Sequence, residues 1–250
     1  MIQHEMNDGV STLRLDRADK KNALTGDMYN AMSAVLEAGN DDKDLRCHVI
    51  CGQPGAFTAG NDIADFLKYA SQSSLDKTPV LQFLKALGEN RKPLVAAVDG
   101  LAIGLGTTLL FHCDMVFATP GSLFKTPFVD LGLVPEAGSS LLGPVVMGHA
   151  RAFELLCLGE SFDAARAQEA GIVNHVAENA EELAMDCARK IASKPPEAMA
   201  LSRALLRGDR TLIDQRIDEE ARIFGSRLSA PETIGAFQAF MTKKTTASKA

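Results

Sequence analysis

The sequence has no run of 18 consecutive apolar residues, so it offers no membrane-spanning helix. It has no Cys-x-x-Cys pair. Its five cysteines, Cys47, Cys51, Cys113, Cys157 and Cys187, are odd in number and widely spaced, which supports neither a metal site nor a redox pair. It has no excess of positive charge: 26 Lys and Arg stand against 32 Asp and Glu, a formal net charge of −6, which argues against nucleic acid as a partner. It has no Gly-x-Gly-x-x-Gly, because Gly104-Leu105-Gly106 is followed by Thr107, Thr108 and Leu109, so a dinucleotide site is not indicated. It has no Gly-x-Ser-x-Gly, which leaves Ser139 and Ser140 weak nucleophile candidates. The opening Met1-Ile2-Gln3-His4-Glu5 lacks the basic, apolar and small-residue order of a secretory signal, and the expected location is cytoplasmic.

What is present is an ordinary globular composition, 46% hydrophobic and 23% charged over 250 residues, enough for one large domain or a domain with an appendage. Val10–Leu15 alternates as a half-buried strand does, while Leu45–Cys51, Leu94–Val98 and Met115–Ala118 are short apolar strands. Gly26–Ala38, Ile63–Ala70 and Ser74–Leu87 read as helices, and Gly106–His112 as a buried helical turn. This recurrence predicts an α/β core to about residue 145. The last third reads as helices over Arg151–Leu158, Asp163–Ala170, Ala180–Ser193, Pro196–Arg207, Leu212–Phe224 and Pro231–Thr242, with one strand at Ile172–Val176. Pro195-Pro196 marks a hinge, dividing residues 1–195 from a helical region at 196–250. Its stripe of Ile213, Ile217, Ala221 and Phe224 must bury itself against the core or another subunit.

Three segments carry candidate chemistry. In Phe57-Thr58-Ala59-Gly60-Asn61-Asp62-Ile63, Gly60 frees the backbone and Asp62 can cap the following helix. Asp99–Gly106 holds three glycines, suited either to close helix–strand packing or to presenting an N–H group to an oxyanion. Glu136 follows Pro135, which can open a helix and leave the acid in its first turn. It would there either complement the helix dipole or move a proton. The histidines are scattered, and His112, between Phe111 and Cys113, reads as a packed core residue.

Taken in order, Asn22-Ala23-Leu24, Phe57-x-Ala-Gly-Asn-Asp-Ile63, the Gly100–Gly106 turn ending at Cys113-Asp114, and Phe124-Lys-Thr-Pro127…Leu131-Gly132-Leu133…Glu136 resemble the crotonase superfamily, the enoyl-CoA hydratase/isomerase group. The resemblance spans residues 2–240. It implies a spiral of ββα units with a helical C-terminal region, assembled as a trimer or a dimer of trimers. It implies an acyl-CoA thioester substrate and no separate cofactor, coenzyme A being part of the substrate. Hydratases of the group use two glutamates, at the positions of Thr108 and Phe128 here. Glu136 instead aligns with the lone catalytic glutamate of the peroxisomal-type Δ3,Δ2-enoyl-CoA isomerases. The resemblance places oxyanion donors at the N–H groups of Asn61 and Leu105. It places CoA and substrate contacts around Lys21, Ala23, Leu24, Ala59, Gly60, Asp62, Ile63, Gly104 and Phe128. Lys20 and Lys21 are either phosphate partners or solvated loop charges. The acyl pocket is expected to depend on side chains around Phe66–Phe83.

The implied function is isomerisation of 3-enoyl-CoA to trans-2-enoyl-CoA, in fatty acid degradation. The alternatives are another crotonase reaction, such as hydration or an aromatic-pathway isomerisation, and a non-catalytic acyl-CoA-binding scaffold.

Overall fold

Two parallel-rich sheets share most of the core. The computed structural model describes residues 1–65 and 77–247. The chain opens with an antiparallel hairpin of β1 (Ile2–Asn7) and β2 (Val10–Leu15), joined by Asp8-Gly9 at φ 50° and 76°. Two positive-φ residues give the turn whose twist suits a two-residue hairpin. β1 is exposed along most of its length, so no apolar period marks it in the sequence. Helix α1 (Gly26–Asp41) follows. Thr25 caps it by accepting from the Met28 amide, and Met28, Met32 and Leu36 point into the core at helical spacing.

From here the chain adds strands in pairs, one to each sheet. β3 (Cys47–Cys51) is followed by β4 (Ala56–Thr58), β5 (Leu94–Val98) by β6 (Leu101–Ile103), and β7 (Met115–Ala118) by β8 (Leu123–Lys125). The large sheet has the order β1-β2-β3-β5-β7-β10, with β10 at His175–Val176; the small one is β4-β6-β8-β9, with β9 at Phe162–Asp163. This is the expected spiral of ββα units. The large sheet is buried on both faces, which is why every residue of β3 and β5 is buried and why, His48 apart, both strands are apolar. One face packs on α1 and the small sheet. The other is covered by α7 (Ala180–Ala192), whose Ala180, Ala184 and Ala188 meet Val49, Val95 and Phe117.

The remaining helices are α2 (Pro79–Glu89), α3 (Leu105–Thr108, continuing as a 3-10 turn Leu109–His112), α4 (Ser139–Met147), α5 (His149–Leu156) and α6 (Ala164–Glu169). The C-terminal part is α8 (Pro196–Arg207), α9 (Thr211–Leu228) and α10 (Pro231–Ala247). The α9 stripe of Ile213, Ile217, Phe224 and Leu228 is buried against the core of its own chain. α8 is docked by Arg203, whose Nε meets Asp114 Oδ2 at 2.8 Å and whose Nη1 donates to the Asn90 carbonyl at 2.9 Å. Cys47 and Cys51 are buried free thiols. Among the described residues no helix is long and apolar enough to cross a membrane.

Several expectations shift. The helix predicted over Ile63–Ala70 is described only to residue 65, and that over Ser74–Leu87 begins at Pro79; residues 66–76 of both lie outside the described residues. The strand predicted over Ile172–Val176 shortens to two residues, because Ile172 and Val173 are buried by packing rather than by strand pairing. Of the three-residue strands of the small sheet, β4 and β6 lie in segments that read as turns, and they carry the candidate site.

Candidate active site

Two loops are stapled together by main-chain hydrogen bonds. Lys21 and Asn22 adopt left-handed backbone at φ 49° and 54°. The buried Asn22 side chain donates to the Ala56 carbonyl at 2.8 Å and accepts from the Arg17 amide at 2.7 Å. Ala59 N–H then donates to the Lys21 carbonyl, Leu24 N–H to Gly60, and Asp62 N–H to Leu24, at 2.8–2.9 Å. Leu24 therefore bonds to the residues on either side of Asn61, which it faces in a parallel bridge. The Asn61 N–H is turned away from that ladder, and among the described residues it has no acceptor. Asp62 accepts from Arg17 Nη1 at 2.7 Å and from the Asp65 amide at 3.1 Å, so it caps the helix begun at Ile63. Lys20 and Lys21 are exposed.

The second glycine turn sits directly on the first. A Cβ on Gly60, at φ 83°, would lie 2.8 Å from the Ile103 carbonyl oxygen, and one on Gly106 would lie 2.4 Å from Thr58 Cγ2. Gly104, at φ 56° and ψ −118°, turns the chain into α3, whose first residue is Leu105. A first-turn N–H has no partner within its helix, and the Leu105 amide has none elsewhere among the described residues. Asn61 and Leu105 line the same cavity of about 610 Å³, together with Ala59, Gly60, Ile63, Gly104 and Phe128. Leu24 and Asp62 line a small neighbouring pocket beside Asn61. Lys21 and Ala23 line neither; Lys21 is tied to the site through its carbonyl.

Glu136 is not in a helical first turn. α4 begins only at Ser139, and Glu136 occupies the turn before it, accepting the Ser139 N–H on its carbonyl at 3.1 Å. Ala137 and Gly138 follow at φ 64° and 67°. Left-handed backbone at a non-glycine residue is strained and persists only where its surroundings hold it. Here His112 Nε2 donates to the Ala137 carbonyl at 2.7 Å, and Glu220 accepts the Gly138 and Ser140 N–H groups at 2.6 and 2.9 Å. His112 is thus the hydrogen-bonded core residue the sequence suggested; burial lowers its pKa to about 4, so it is neutral.

The Glu136 carboxylate is 6% exposed and has no cationic partner among the described residues. Its Oε1 accepts from Thr108 Oγ1 at 3.0 Å. Burial pushes its pKa up to about 8; the Thr108 hydroxyl opposes the rise and the charge of Glu220 adds to it. Of the two influences open from the sequence, burial outweighs any helix terminus. Glu136 and Asn61 line a narrow apolar recess walled by Val80, Leu81, Leu84, Ile217 and Phe224. Asn61 and Phe224 border both this recess and the large cavity. The carboxylate and its Thr108 hydroxyl partner thus stand at the recess and the Leu105 amide at the large cavity, with Asn61 bordering both. Such a set can move a proton next to a carbonyl whose oxygen is held by the amides.

Two neighbours escaped the sequence reading. Tyr29 on α1 donates its hydroxyl to Asn61 Oδ1, fixing the Asn61 side chain; burial raises its pKa, and Glu136 and Asp65 raise it further. Glu220 is the other. Its signal was legible in principle, as an acid lying between Ile217 and Phe224 on the buried face of α9.

The family model described as enoyl-CoA hydratase/isomerase matches residues 5–248. An enoyl-CoA hydratase/isomerase structure from Pseudoalteromonas atlantica T6c superposes with a TM-score of 0.91 at 37% identity, covering 97% of each chain. Pseudomonas aeruginosa OdaA superposes at 0.90 with 45% identity, covering 96% of this chain and 98% of that one. Enoyl-CoA delta isomerase 2 from Rattus norvegicus is 32% identical over 94% of this chain, which spans 62% of that relative's length.

Proposed function

The chain belongs to the enoyl-CoA hydratase/isomerase family, and within it we propose that this protein isomerises 3-enoyl-CoA to trans-2-enoyl-CoA with Glu136 as the single base. The observation that carries the reading is that Glu136 is a buried carboxylate with no cationic partner among the described residues, while Thr108 and Phe128 fill the two positions where the family resemblance puts hydratase acids. Hydration asks one group to activate water and another to serve the carbon. Shifting a double bond asks only that one group take a proton from C2 and return it at C4. The rat relative that aligns across this chain is named a delta isomerase.

In the proposed reaction the thioester oxygen sits between the Asn61 and Leu105 N–H groups. Glu136, ionised, removes the C2 proton. The C2–H electron pair forms a C1–C2 double bond and displaces the carbonyl pair onto the thioester oxygen. This gives a dienolate with C3–C4 still double, which the two amides stabilise. The carboxylic acid so formed delivers the same proton to C4; the oxygen pair re-forms the carbonyl and C2–C3 becomes the double bond. Phe128, buried at the cavity wall, excludes water that would quench or hydrate the intermediate. Coenzyme A belongs to the substrate, and its contacts fall to the main chain of residues 21–24 and 59–63, with Lys20 and Lys21 available to its phosphates. Assembly as a trimer or a dimer of trimers would cover Leu201, Leu205 and Leu206, which α8 leaves exposed.

The test supplies 3-hexenoyl-CoA and follows formation of the conjugated thioester. Glu136→Gln is expected to reduce kcat by about 10²–10⁴-fold. Undiminished turnover by that variant rules the reading out, and release of hydroxyacyl product from 2-enoyl-CoA as the main activity replaces it with hydration.

A further inference from the structure

We propose that Glu220 is a positioning residue for the Glu136 base, clamping the turn that carries it and holding a like charge against it. The proposal rests on the reading of Glu136 as the base.

The need for a clamp comes from the local backbone. Gly138 precedes the first residue of α4, and no side chain of its own segment caps that helix. The buried N–H groups there require acceptors. The turn before them carries Ala137 at φ 64°, a conformation that relaxes unless over-determined. Glu220 answers both needs from α9, 82 residues further along the chain, by taking the Gly138 N–H on one oxygen and the Ser140 N–H on the other. With the Ala137 carbonyl fixed by His112, the two anchors hold the residues that directly follow Glu136. Arg216, one helical turn before Glu220, donates to Ser140 Oγ at 3.1 Å and completes the attachment of α9 to α4.

The same carboxylate has an electrostatic effect. Glu220 is 5% exposed and lines the apolar recess it shares with Glu136. On its other side it borders a second pocket with Arg216, Glu219 and Pro135. Burial raises its pKa, while the Ser140 and Gly138 contacts and Arg216 pull it back toward the charged form. The titratable groups facing Glu136 are Glu220 from α9 and Tyr29 from α1, with His112 acting through the Ala137 carbonyl. Tyr29 and His112 are both neutral near pH 7, because burial favours their uncharged forms. Glu220 is then the charge that makes ionisation of Glu136 harder.

Two substitutions separate the roles, each measured as kcat and KM for 3-hexenoyl-CoA between pH 5.5 and 10, with thermal melting as a check on folding. Glu220→Gln keeps the shape and removes the charge, so the acid limb of kcat/KM is expected to move down by roughly 0.5–1 pH unit. Glu220→Asp keeps the charge and withdraws it from the two N–H groups, so kcat is expected to fall about 10- to 100-fold with KM little changed. A merely structural residue would lower the melting temperature and leave the acid limb where it is. An acid limb that stays or rises in folded Glu220→Gln, or wild-type kcat in Glu220→Asp, overturns the proposal. If Glu220→Gln does not fold, the aspartate variant decides alone. Full activity in Glu136→Gln would instead defeat the underlying reading, whatever the Glu220 variants do.

Discussion

Replacing Thr108 by valine removes one interaction of the base and leaves the rest of its surroundings in place. Thr108 is fully buried, and its hydroxyl stands 3.0 Å from Glu136 Oε1. Its other acceptors, the Gly104 and Leu105 carbonyls, are at 3.5 Å, at the weak limit for a hydroxyl. A hydrogen bond to an ionised group contributes about 1.5–3 kcal/mol, against about 0.5–1.5 kcal/mol for one to a neutral group. The difference, on the order of 1–1.5 kcal/mol, is the preference of Thr108 for the carboxylate over the acid, and corresponds to about one pH unit.

The sign follows from the direction of that preference. Glu136 loses its proton with a pKa near 8, and only the ionised form takes a proton from carbon. Without the hydroxyl the carboxylate is harder to form, so the acid limb of kcat/KM moves up by about one pH unit. Well below the limb, at pH 6.5, the variant is expected to be about threefold slower, because the ionised fraction falls tenfold per pH unit while the stronger base reacts about threefold faster. Above the limb it overtakes the wild type, by up to about threefold. Absorbance of the conjugated thioester formed from 3-hexenoyl-CoA gives the full profile. A limb that does not move, or a loss equal at every pH, would refute the argument that Thr108 acts on the ionisation of Glu136.

The proposed oxyanion donors can be tested without side-chain chemistry. Leu105 occupies the first position of α3, where proline is tolerated. Leu105→Pro therefore deletes the N–H, and kcat is expected to fall about 10²–10³-fold; a loss under about fivefold in a folded protein counts against an oxyanion role. Gly60→Ala would combine positive-φ strain with a Cβ 2.8 Å from the Ile103 carbonyl, whereas Gly55, at φ 84°, has nothing within 4 Å of an added Cβ. Strain alone costs about 1–3 kcal/mol, so in urea unfolding Gly60→Ala is expected to cost more than Gly55→Ala and to lower kcat as well. Equal stabilities would mean that the two glycine turns are not in firm contact.

How much of this was legible depended on distance along the chain. β2 announced itself by alternation over six residues, and β3, β5 and β7 as mostly buried runs of four or five. The small sheet did not, since β4, β6 and β8 have three residues each, too few for a period to register beside strong turn signals. The glycine turns were legible as turns, but that Gly60 packs on Ile103 depends on strand pairing between β4 and β6. Glu136 stood out through its motif, yet its place before the helix rather than within it follows from left-handed Ala137, which no propensity rule anticipates. The clamp on that turn comes from His112, 25 residues from Ala137, and from Glu220, 82 residues from Gly138. Contacts at such separations are set by how α9 and the turn after α3 pack, and a single sequence carries them only as an acid or a histidine in an otherwise apolar stripe.

The chemical consequence of replacing two acids by a hydroxyl and a ring can be weighed. A carboxylate of ordinary basicity is a weak base for a carbon acid. Moving its pKa from 4.5 to about 8 strengthens it by about three and a half powers of ten in proton affinity. With a Brønsted coefficient of about 0.5, proton abstraction then speeds up about 50-fold. The opposing cost is that at pH 7 only about one molecule in ten is ionised. The gain exceeds the loss, so a lone buried glutamate is better placed near neutrality than an exposed one. A pKa raised much further would reverse the balance, because the ionised fraction falls tenfold for each pH unit while the rate constant rises only about threefold. Thr108 therefore does more than fill the position of a missing acid. By favouring the carboxylate against burial and Glu220, it keeps the base on the productive side of that balance.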